Sequence, residues 1–255
     1  MKNNLHKTID NPIGDGFMLQ KKYLLKYLAA FCIATFLIVG TGCGDNPPQS
    51  SSSSVSSSSS SSPKMTAEEK AAKEKADKAE KKAASDEIKK ILSQLPQTQD
   101  EVENSTQYTS WGNGSIPART ALYYKVSVKD NKVSPVGIYV IQFTDDTQWI
   151  FWDNMIFANN GNKWSKKLNT FAGQSGDGKH TEVVMGGKYE TWSGNIDEVA
   201  DGLNILVSGG NKPILRVTGQ EYKADIHPTD SDIQQMQTAL HLNDLLKKIN
   251  YTLVD

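Results

Sequence analysis

The sequence predicts an α+β protein: an antiparallel β-meander or sandwich-like domain with two packed helices, preceded by a disordered serine-rich linker and a charged single helix. Three stretches lead to this prediction. Residues 50–62 are all serine except Val55, residues 66–95 repeat alanine, glutamate and lysine, and residues 105–255 alternate short apolar runs with turn residues. Strands followed by helices in this last stretch favour α+β over alternating βαβ units.

Composition excludes two kinds of chemistry. The 255 residues carry a formal net charge of −1 with a pI near 6.4, and arginine occurs only at Arg119 and Arg216. Phosphate and base recognition by nucleic-acid-binding proteins depends on a strong basic excess and on arginine forks, so we expect no nucleic-acid partner. Cys32 and Cys43 both precede the serine tract, which leaves the folded part without disulfide or thiolate chemistry.

The start of the chain is typical of a secretory signal. Three lysines within residues 21–26 precede an apolar run over residues 27–40. This run suits the hydrophobic region of a signal peptide and is shorter than the roughly 20 residues that span a bilayer. We therefore predict a signal peptide over residues 1–42. Because no signal peptide needs the polar stretch before the lysines, we expect translation to start near Met18.

The predicted signal ends in Gly40-Thr41-Gly42-Cys43, three small residues and a cysteine. This resembles the lipobox of bacterial lipoproteins, with Gly40 in place of the usual leucine. The resemblance implies that Cys43 becomes the first mature residue and carries a diacylglyceryl thioether. Two acyl chains would then hold the protein to the cell membrane on its extracytoplasmic face. The alternative is an uncleaved membrane-anchored helix with an incidental cysteine.

A linker and a charged helix follow the cysteine. Residues 43–65 are expected to be disordered, because serine offers too little apolar surface to offset the entropy of ordering. A helix is predicted over residues 66–95, starting in a capping box of Thr66 and Glu69 and ending before Pro96. Acid-before-base pairs four residues apart and frequent alanine support this helix.

The predicted helix could either pair with another helix in a coiled coil or stand alone in solvent. Alanines at a 4-3-4 spacing suggest a coiled-coil seam, but alanine buries little area and the pattern is short, so a solvated rod is favoured. These alanines are Ala72, Ala76, Ala79 and Ala83. Near its end the helix gains an apolar stripe, which we expect to dock onto the globular domain. The stripe consists of Ile88, Ile91, Leu92 and Leu95.

The domain over residues 105–255 opens with three strand-like runs. "ALYYKVSV", "VGIYVIQF" and "TQWIFWDNMIFA" are joined by turn residues at Asp130-Asn131 and Asp145-Asp146. Such short connections predict an antiparallel meander. In the third run, alternation puts Trp149 on one face and Trp152 on the other, so we expect a strand covered on both faces with both indoles in the core.

The rest of the domain combines further strands with two amphipathic helices. Strands are expected over residues 180–186, 188–194 and 212–222, around a glycine-rich loop. The first helix is expected to end at Gly209-Gly210, and the second to start at Thr229. The apolar face of the first consists of Ile196, Val199, Leu203 and Leu206, and that of the second of Ile233, Met236, Leu240, Leu246 and Ile249.

Four features of this domain recur in a family of uncharacterised bacterial lipoproteins and secreted proteins, which the domain resembles. They are a tyrosine-rich strand (Tyr123, Tyr124), a Trp-Ile-Phe strand (residues 149–151), an Arg-x-x-Gly strand (Arg216, Gly219) and an acidic-capped helix (residues 230–233). The resemblance implies a β-rich extracytoplasmic fold. It implies no particular activity.

Candidate catalytic and metal-binding residues are few. In the loop over residues 173–180, Ser175 as nucleophile and His180 as base would suit a hydrolase. However, Asp177 replaces the last glycine of G-x-S-x-G, and no strand-turn-helix context surrounds the serine, so a flexible polar loop is favoured. Histidines and cysteines with metal-ligand spacing do not occur, so we predict no catalytic residue, metal or cofactor.

Arg216 is the candidate ligand-binding residue. Its apolar neighbours suggest partial burial, and a buried guanidinium needs an acidic partner. It would either grip an anionic ligand or, as the favoured alternative, pair with an acid such as Glu190 or Glu221.

Two classes of function follow from these observations. The favoured one is a membrane-anchored extracytoplasmic lipoprotein that presents a non-enzymatic binding domain on a stalk, with an envelope protein or glycan as partner. The alternative is a cell-envelope hydrolase with a site near the loop over residues 173–180.

Overall fold

The structure, a computed structural model, describes residues 66–112, 119–144, 148–170, 176–184, 186–210 and 212–254. These residues belong to one compact unit, Ser61–Asp255. Three helices lie in it: α1 (Ala67–Leu92), α2 (Ala200–Val207) and α3 (Asp230–Lys248), with a short 3₁₀-helix (Ile196–Glu198) before α2. The predicted signal peptide, Cys43, the serine linker, Ser175 and the Asp145-Asp146 turn lie outside the described residues.

Helices α1 and α3 both start in a capping box. Thr66 with Glu69 caps α1, and Thr229 with Asp232 caps α3; in each the side chains bind the free N–H groups of the first turn. The sequence predicted the start of both helices.

Eleven strands are present in the described part of the chain. They are β1 (Gln97–Asp100), β2 (Ser105–Thr109), β3 (Ala121–Lys129), β4 (Lys132–Val133), β5 (Gly137–Thr144), β6 (Asn154–Asn159), β7 (Asn162–Lys167), β8 (Lys179–Val184), β9 (Gly187–Asn195), β10 (Ile214–Thr218) and β11 (Lys223–Ile226).

Seven of the strands form an antiparallel sheet in the order β1-β2-β3-β5-β9-β8, with β4 paired to β3. The predicted meander is confirmed for β3 and β5, where Tyr123 lies opposite Tyr139. It is wrong for the third run, because residues 148–153 form no strand and β6 joins the other sheet. Strand β5 pairs with β9 instead, which places Ile141 opposite Thr191.

The other four strands form a second antiparallel sheet in the order β11-β10-β6-β7. The β6–β7 hairpin turns at Asn160 and Gly161, whose φ angles of 51° and 82° suit an Asn-Gly hairpin turn. The predicted turn at Asp130 and Asn131 likewise has φ angles of 50° and 60°.

One hydrophobic cluster takes side chains from one face of each sheet and from all three helices. Alternation along the strands directs Tyr124 of β3, Phe157 of β6 and Leu215 of β10 into it. The predicted apolar face of α2 is confirmed, because Leu203 and Leu206 are no more than 1 % exposed. The fold is thus the α+β class that the sequence predicts.

Helix α1 has an exposed part and a docked part. Residues 66–83 are all exposed, whereas Ile88 is fully buried in the core. Ser85 donates its hydroxyl hydrogen to the Val254 carbonyl at 2.9 Å and accepts from the Val254 N–H at 3.0 Å. The predicted docking of the apolar stripe is confirmed, because Ile88 and Leu92 belong to the core and Ile91 and Leu95 pack against it.

Ionisation of Tyr124 is expected to destabilise the domain at alkaline pH. Tyr124 is 2 % exposed, and burial raises its pKa to about 12 from the usual 10.0. Because the pKa is raised in the folded state, the contribution of the neutral phenol is complete below pH 10 and is lost as the pH rises toward 12. Between pH 9 and pH 11, urea titrations should show the wild type losing about 1 kcal/mol more unfolding free energy than Tyr124→Phe. Equal losses in the two proteins would contradict this assignment.

Candidate functional site

Arg216 lies on β10 and forms a cross-strand ion pair with Asp225 on β11. Its Nε and Nη2 groups donate to the two carboxylate oxygens of Asp225 at 2.5 and 2.7 Å. The hydrogen bonds to Arg216 lower the pKa of Asp225. The favoured prediction that Arg216 pairs with an acid is confirmed, but the acid is Asp225 rather than Glu190 or Glu221. The strand register places Asp225 directly opposite Arg216, and directly opposed side chains are the closest ones across a ladder.

Glu190 belongs instead to a buried ion pair with Lys179. Lys179 Nζ donates to Glu190 Oε2 at 2.8 Å, and the two side chains are 2 % and 1 % exposed. Burial lowers the pKa of Lys179, against the opposing effect of its hydrogen bond with Glu190. The ammonium also lies 4.6 Å from the ring centroid of Trp152, within the range of a cation–π contact.

The Glu190 carboxylate also holds the backbone of three successive residues. Oε1 accepts from the N–H groups of Ile150 at 2.6 Å and Phe151 at 3.1 Å, and Oε2 accepts from that of Trp152 at 3.3 Å. Phe151 has a φ of 50°, a left-handed conformation that bulky residues rarely adopt. Because one side chain takes all three N–H groups, they are not available to a β-ladder, which explains why the predicted strand is absent here.

This segment presents two aromatic rings at the surface. Trp149 and Phe151 stack with ring centroids 5.5 Å apart and planes inclined by 9°, and both are partly exposed. Lys188 Nζ lies 5.1 Å from the ring centroid of Trp149. We call Trp149, Phe151 and Lys188 the aromatic ledge. The prediction that Trp149 is a core residue is wrong, whereas Trp152 is fully buried as predicted.

The end of β10 packs against the backbone of the ledge. A Cβ atom at Gly219 would lie 2.0 Å from the carbonyl oxygen of Ile150, so only glycine permits this approach. Beside it, Gln148 Nε2 donates to the Tyr222 hydroxyl at 2.8 Å. The glycine of the Arg-x-x-Gly feature thus has a structural role: it lets the strand end lie directly against the segment that carries the rings.

The glycine-rich loop shows no catalytic arrangement in its described part. Asp177 accepts from the Asn169 N–H at 2.9 Å, so its carboxylate fixes a turn rather than orienting His180. His180 is well exposed and its Nε2 lies 3.7 Å from Glu182. Within the described residues, no group of three or more histidine, cysteine, aspartate or glutamate side chains could hold a metal ion.

Sequence reasoning did not identify Lys179 or Glu190 as a pair, although a signal for Glu190 exists. Glu190 stands two residues before Trp192 in β9, and alternation puts both side chains on the core face, where they are 1 % and 0 % exposed. A carboxylate at a core position needs a cation or hydrogen-bond donors. Its position on the same face of β9 as the buried Trp192 could therefore have indicated a buried carboxylate with such a partner.

Comparisons with protein-family models, with curated proteins and with solved structures find no match to this chain. Among the helices that the structure describes, none combines the length and apolar character needed to cross a membrane. The site that the geometry defines is a pair of stacked, partly exposed aromatic rings on a segment whose backbone is bound by the Glu190 of a buried ion pair.

Proposed function

We propose that this protein is a lipid-anchored, non-enzymatic binding protein on the extracytoplasmic face of the cell membrane. Cys43 would carry the acyl chains, and residues 43–65 together with the exposed part of α1 would form a stalk. The aromatic ledge would contact a protein or glycan of the cell envelope. The observation that carries the binding role is that Glu190 of the buried ion pair binds the backbone of the segment that carries two stacked, partly exposed rings.

The energetics of this ion pair support a role beyond stability. Removing two charges from water costs several kcal/mol per ion, and apolar residues of similar size in the same place are often neutral or stabilising. The left-handed Phe151 adds about 1–3 kcal/mol of strain. Phe151 lies in the segment whose backbone Glu190 binds, and backbone strain of this kind clusters at active and ligand-binding sites.

The rings of the ledge are suited to binding. Tryptophan is enriched among the residues that dominate interface energies, because it buries a large apolar area and also offers an N–H donor. Trp149 is already held by its stack with Phe151. Little side-chain freedom would therefore be lost on binding, which lowers the entropic cost of the complex.

The exposed part of α1 supports the stalk. Residues 66–83 would extend about 27 Å at 1.5 Å per residue, and none of them is buried. This part of the helix extends the chain away from its docked end and adds no side chain to the hydrophobic core. Its capping box and charge pairs allow it to form with few tertiary contacts.

Substitution of Trp149 tests the binding role. The chain from residue 44 onward retains the compact unit Ser61–Asp255 and should sediment with isolated cell envelopes of the bacterial host. Trp149→Ala should weaken this association roughly tenfold or more, as expected for a central aromatic contact. Trp111→Ala is a matched control, because Trp111 is another partly exposed indole that packs against Tyr123 and Tyr139 on the seven-stranded sheet.

The control variant should bind as the wild type does. Unfolding curves of both variants are needed to confirm that each domain is folded at the temperature of the assay. Equal binding by wild type and Trp149→Ala, or equal losses in the two variants, would refute the role of the ledge.

A further inference from the structure

The outer face of the four-stranded sheet carries a cluster of basic side chains. The inward residues of β6 and β7, such as Phe157 and Trp164, pack toward α2, where a Cβ at Gly202 would meet both rings at less than 3 Å. Alternation therefore turns the other residues of these strands outward. The basic residues on this face are Lys163, Lys167, Arg216 and Lys223. Among the described residues of these strands, the acidic residue on the face is Asp225.

The strand register sets the spacing of these charges. Lys163 and Lys167 lie four residues apart on β7, which corresponds to about 13 Å along the strand. Across the sheet, Lys167 lies opposite Asn154, Asn154 opposite Thr218, and Thr218 opposite Lys223. Lys167 and Lys223 are therefore three strand spacings, or about 14 Å, apart. The three lysines thus mark the corners of a broad basic surface.

A groove continues this surface at the β6–β7 turn. It has a volume of about 580 Å³ and places Lys163 and Lys212 among its lining residues, none of which is acidic. Asn159 helps to fix this region, because its Nδ2 donates to three carbonyls at the end of α2 at 3.0–3.2 Å. We call Lys163, Lys167, Lys212 and Lys223 the lysine face.

The four lysines of this face are available to a ligand. All are exposed, and none forms an ion pair with another described residue. Arg216 differs, because its fork is occupied by Asp225. Positive charges near this face lower the pKa of Asp225. The hydrogen bond from Arg216 has the largest effect, and His227 and Lys223 lower this pKa further.

We propose that the lysine face binds a linear phosphate-bearing polymer of the cell envelope. The charges are spread over distances that suit a repeating chain rather than one small anion. Lysine binds phosphate as a point charge and needs no planar partner, whereas the guanidinium of Arg216, which suits bidentate contacts with carboxylates and phosphates alike, is already engaged by Asp225. This inference does not depend on the aromatic ledge, but its choice of an envelope polymer rests on the extracytoplasmic location in the proposed function.

A membrane surface fits this face less well. Proteins that lie on anionic bilayers usually combine basic residues with apolar side chains that enter the lipid. The large apolar residues that are exposed in the described part of the chain are Val102, Val183 and Tyr222, and none lies on these four strands' outer face. Charge complementarity with a polymer requires no such apolar contacts.

Binding of poly(glycerol phosphate) to the chain from residue 44 onward tests the proposal. Lys163→Gln, Lys167→Gln and Lys223→Gln together should weaken binding about tenfold, since each exposed charge contributes modestly. Lys70→Gln, Lys75→Gln and Lys78→Gln together change the net charge equally on exposed residues of α1 and should leave binding unchanged. Asp225→Asn should strengthen binding several-fold, because it removes the acid of this face and releases the fork of Arg216.

Each other outcome would overturn the proposal. These outcomes are no binding to poly(glycerol phosphate), equal losses in the two triple variants, and weaker binding by a folded Asp225→Asn protein. Equal or tighter binding to polygalacturonate would contradict the preference for phosphate. Binding to phosphatidylserine vesicles and not to the polymer would assign the face to a membrane. Trp149→Ala should retain polymer binding, which separates this result from that of the aromatic ledge.

Discussion

Glu190→Ala is expected to destabilise the domain by about 3–5 kcal/mol, the usual cost of removing one partner of a buried ion pair. The substitution leaves Lys179, which is 2 % exposed on its side chain, without its counter-ion. It also leaves the N–H groups of Ile150, Phe151 and Trp152 without their acceptor. Urea unfolding at pH 7, followed by circular dichroism, measures the loss.

A double variant separates charge from packing. Lys179→Met with Glu190→Gln removes both charges and retains an amide oxygen that can accept from the backbone N–H groups. We expect this variant to be more stable than Glu190→Ala, because no unpaired charge remains buried. If Glu190→Ala lowered the free energy of unfolding by less than about 1 kcal/mol, its effect would resemble that of an ordinary surface substitution. Such a result would contradict the burial of the ion pair.

Local signals in the sequence predict the three helices and strands β3, β5, β8, β9 and β10, but they do not predict β1, β2, β4, β7 or β11. The capping residues Thr66 and Thr229 mark the starts of α1 and α3, and the turn at Asp130 and Asn131 marks the first hairpin. These signals succeed because caps and tight turns depend on residues within a few positions of one another. The α+β class follows from the order of these elements.

The errors concern contacts between residues distant in the chain. Residues 149–152 look like a strand with two apolar faces, but Glu190, some 40 positions later, takes their N–H groups. Trp149 consequently becomes part of a surface rather than of the core. Apolar alternation alone cannot distinguish these outcomes, since the acceptor of the backbone groups is not visible locally.

The candidate site shows the same limit. The sequence predicts that Arg216 pairs with an acid, because an arginine among apolar residues needs one. It does not predict Asp225 as that acid, because the choice depends on the register between β10 and β11. The lysine face could not be foreseen either, because its residues come from β7, from the segment just before β10 and from β11, which only the strand order brings together.

Cys43→Ser is expected to abolish membrane attachment while leaving the domain folded. Two acyl chains give stable anchoring because each buried methylene contributes about 0.8 kcal/mol, whereas a single chain binds only marginally. Cys43 precedes the compact unit Ser61–Asp255 in the chain, so its substitution changes no residue of that unit. The variant should therefore unfold at the same urea concentration as the wild type.

The matched control is Cys32→Ser, which changes the other cysteine of the chain within the predicted signal peptide. It should leave attachment unchanged. Deletion of residues 50–62 should also preserve attachment, while it brings the domain closer to the bilayer and reduces its accessibility to an external protease.

Metabolic labelling with palmitate, combined with membrane fractionation of the labelled cells, tests whether this protein is a domain tethered through Cys43. We predict label and membrane recovery for the wild type, for Cys32→Ser and for the deletion of residues 50–62, and neither for Cys43→Ser. Label on the Cys43→Ser chain, or its undiminished recovery with the membrane, would show that the protein is held in another way.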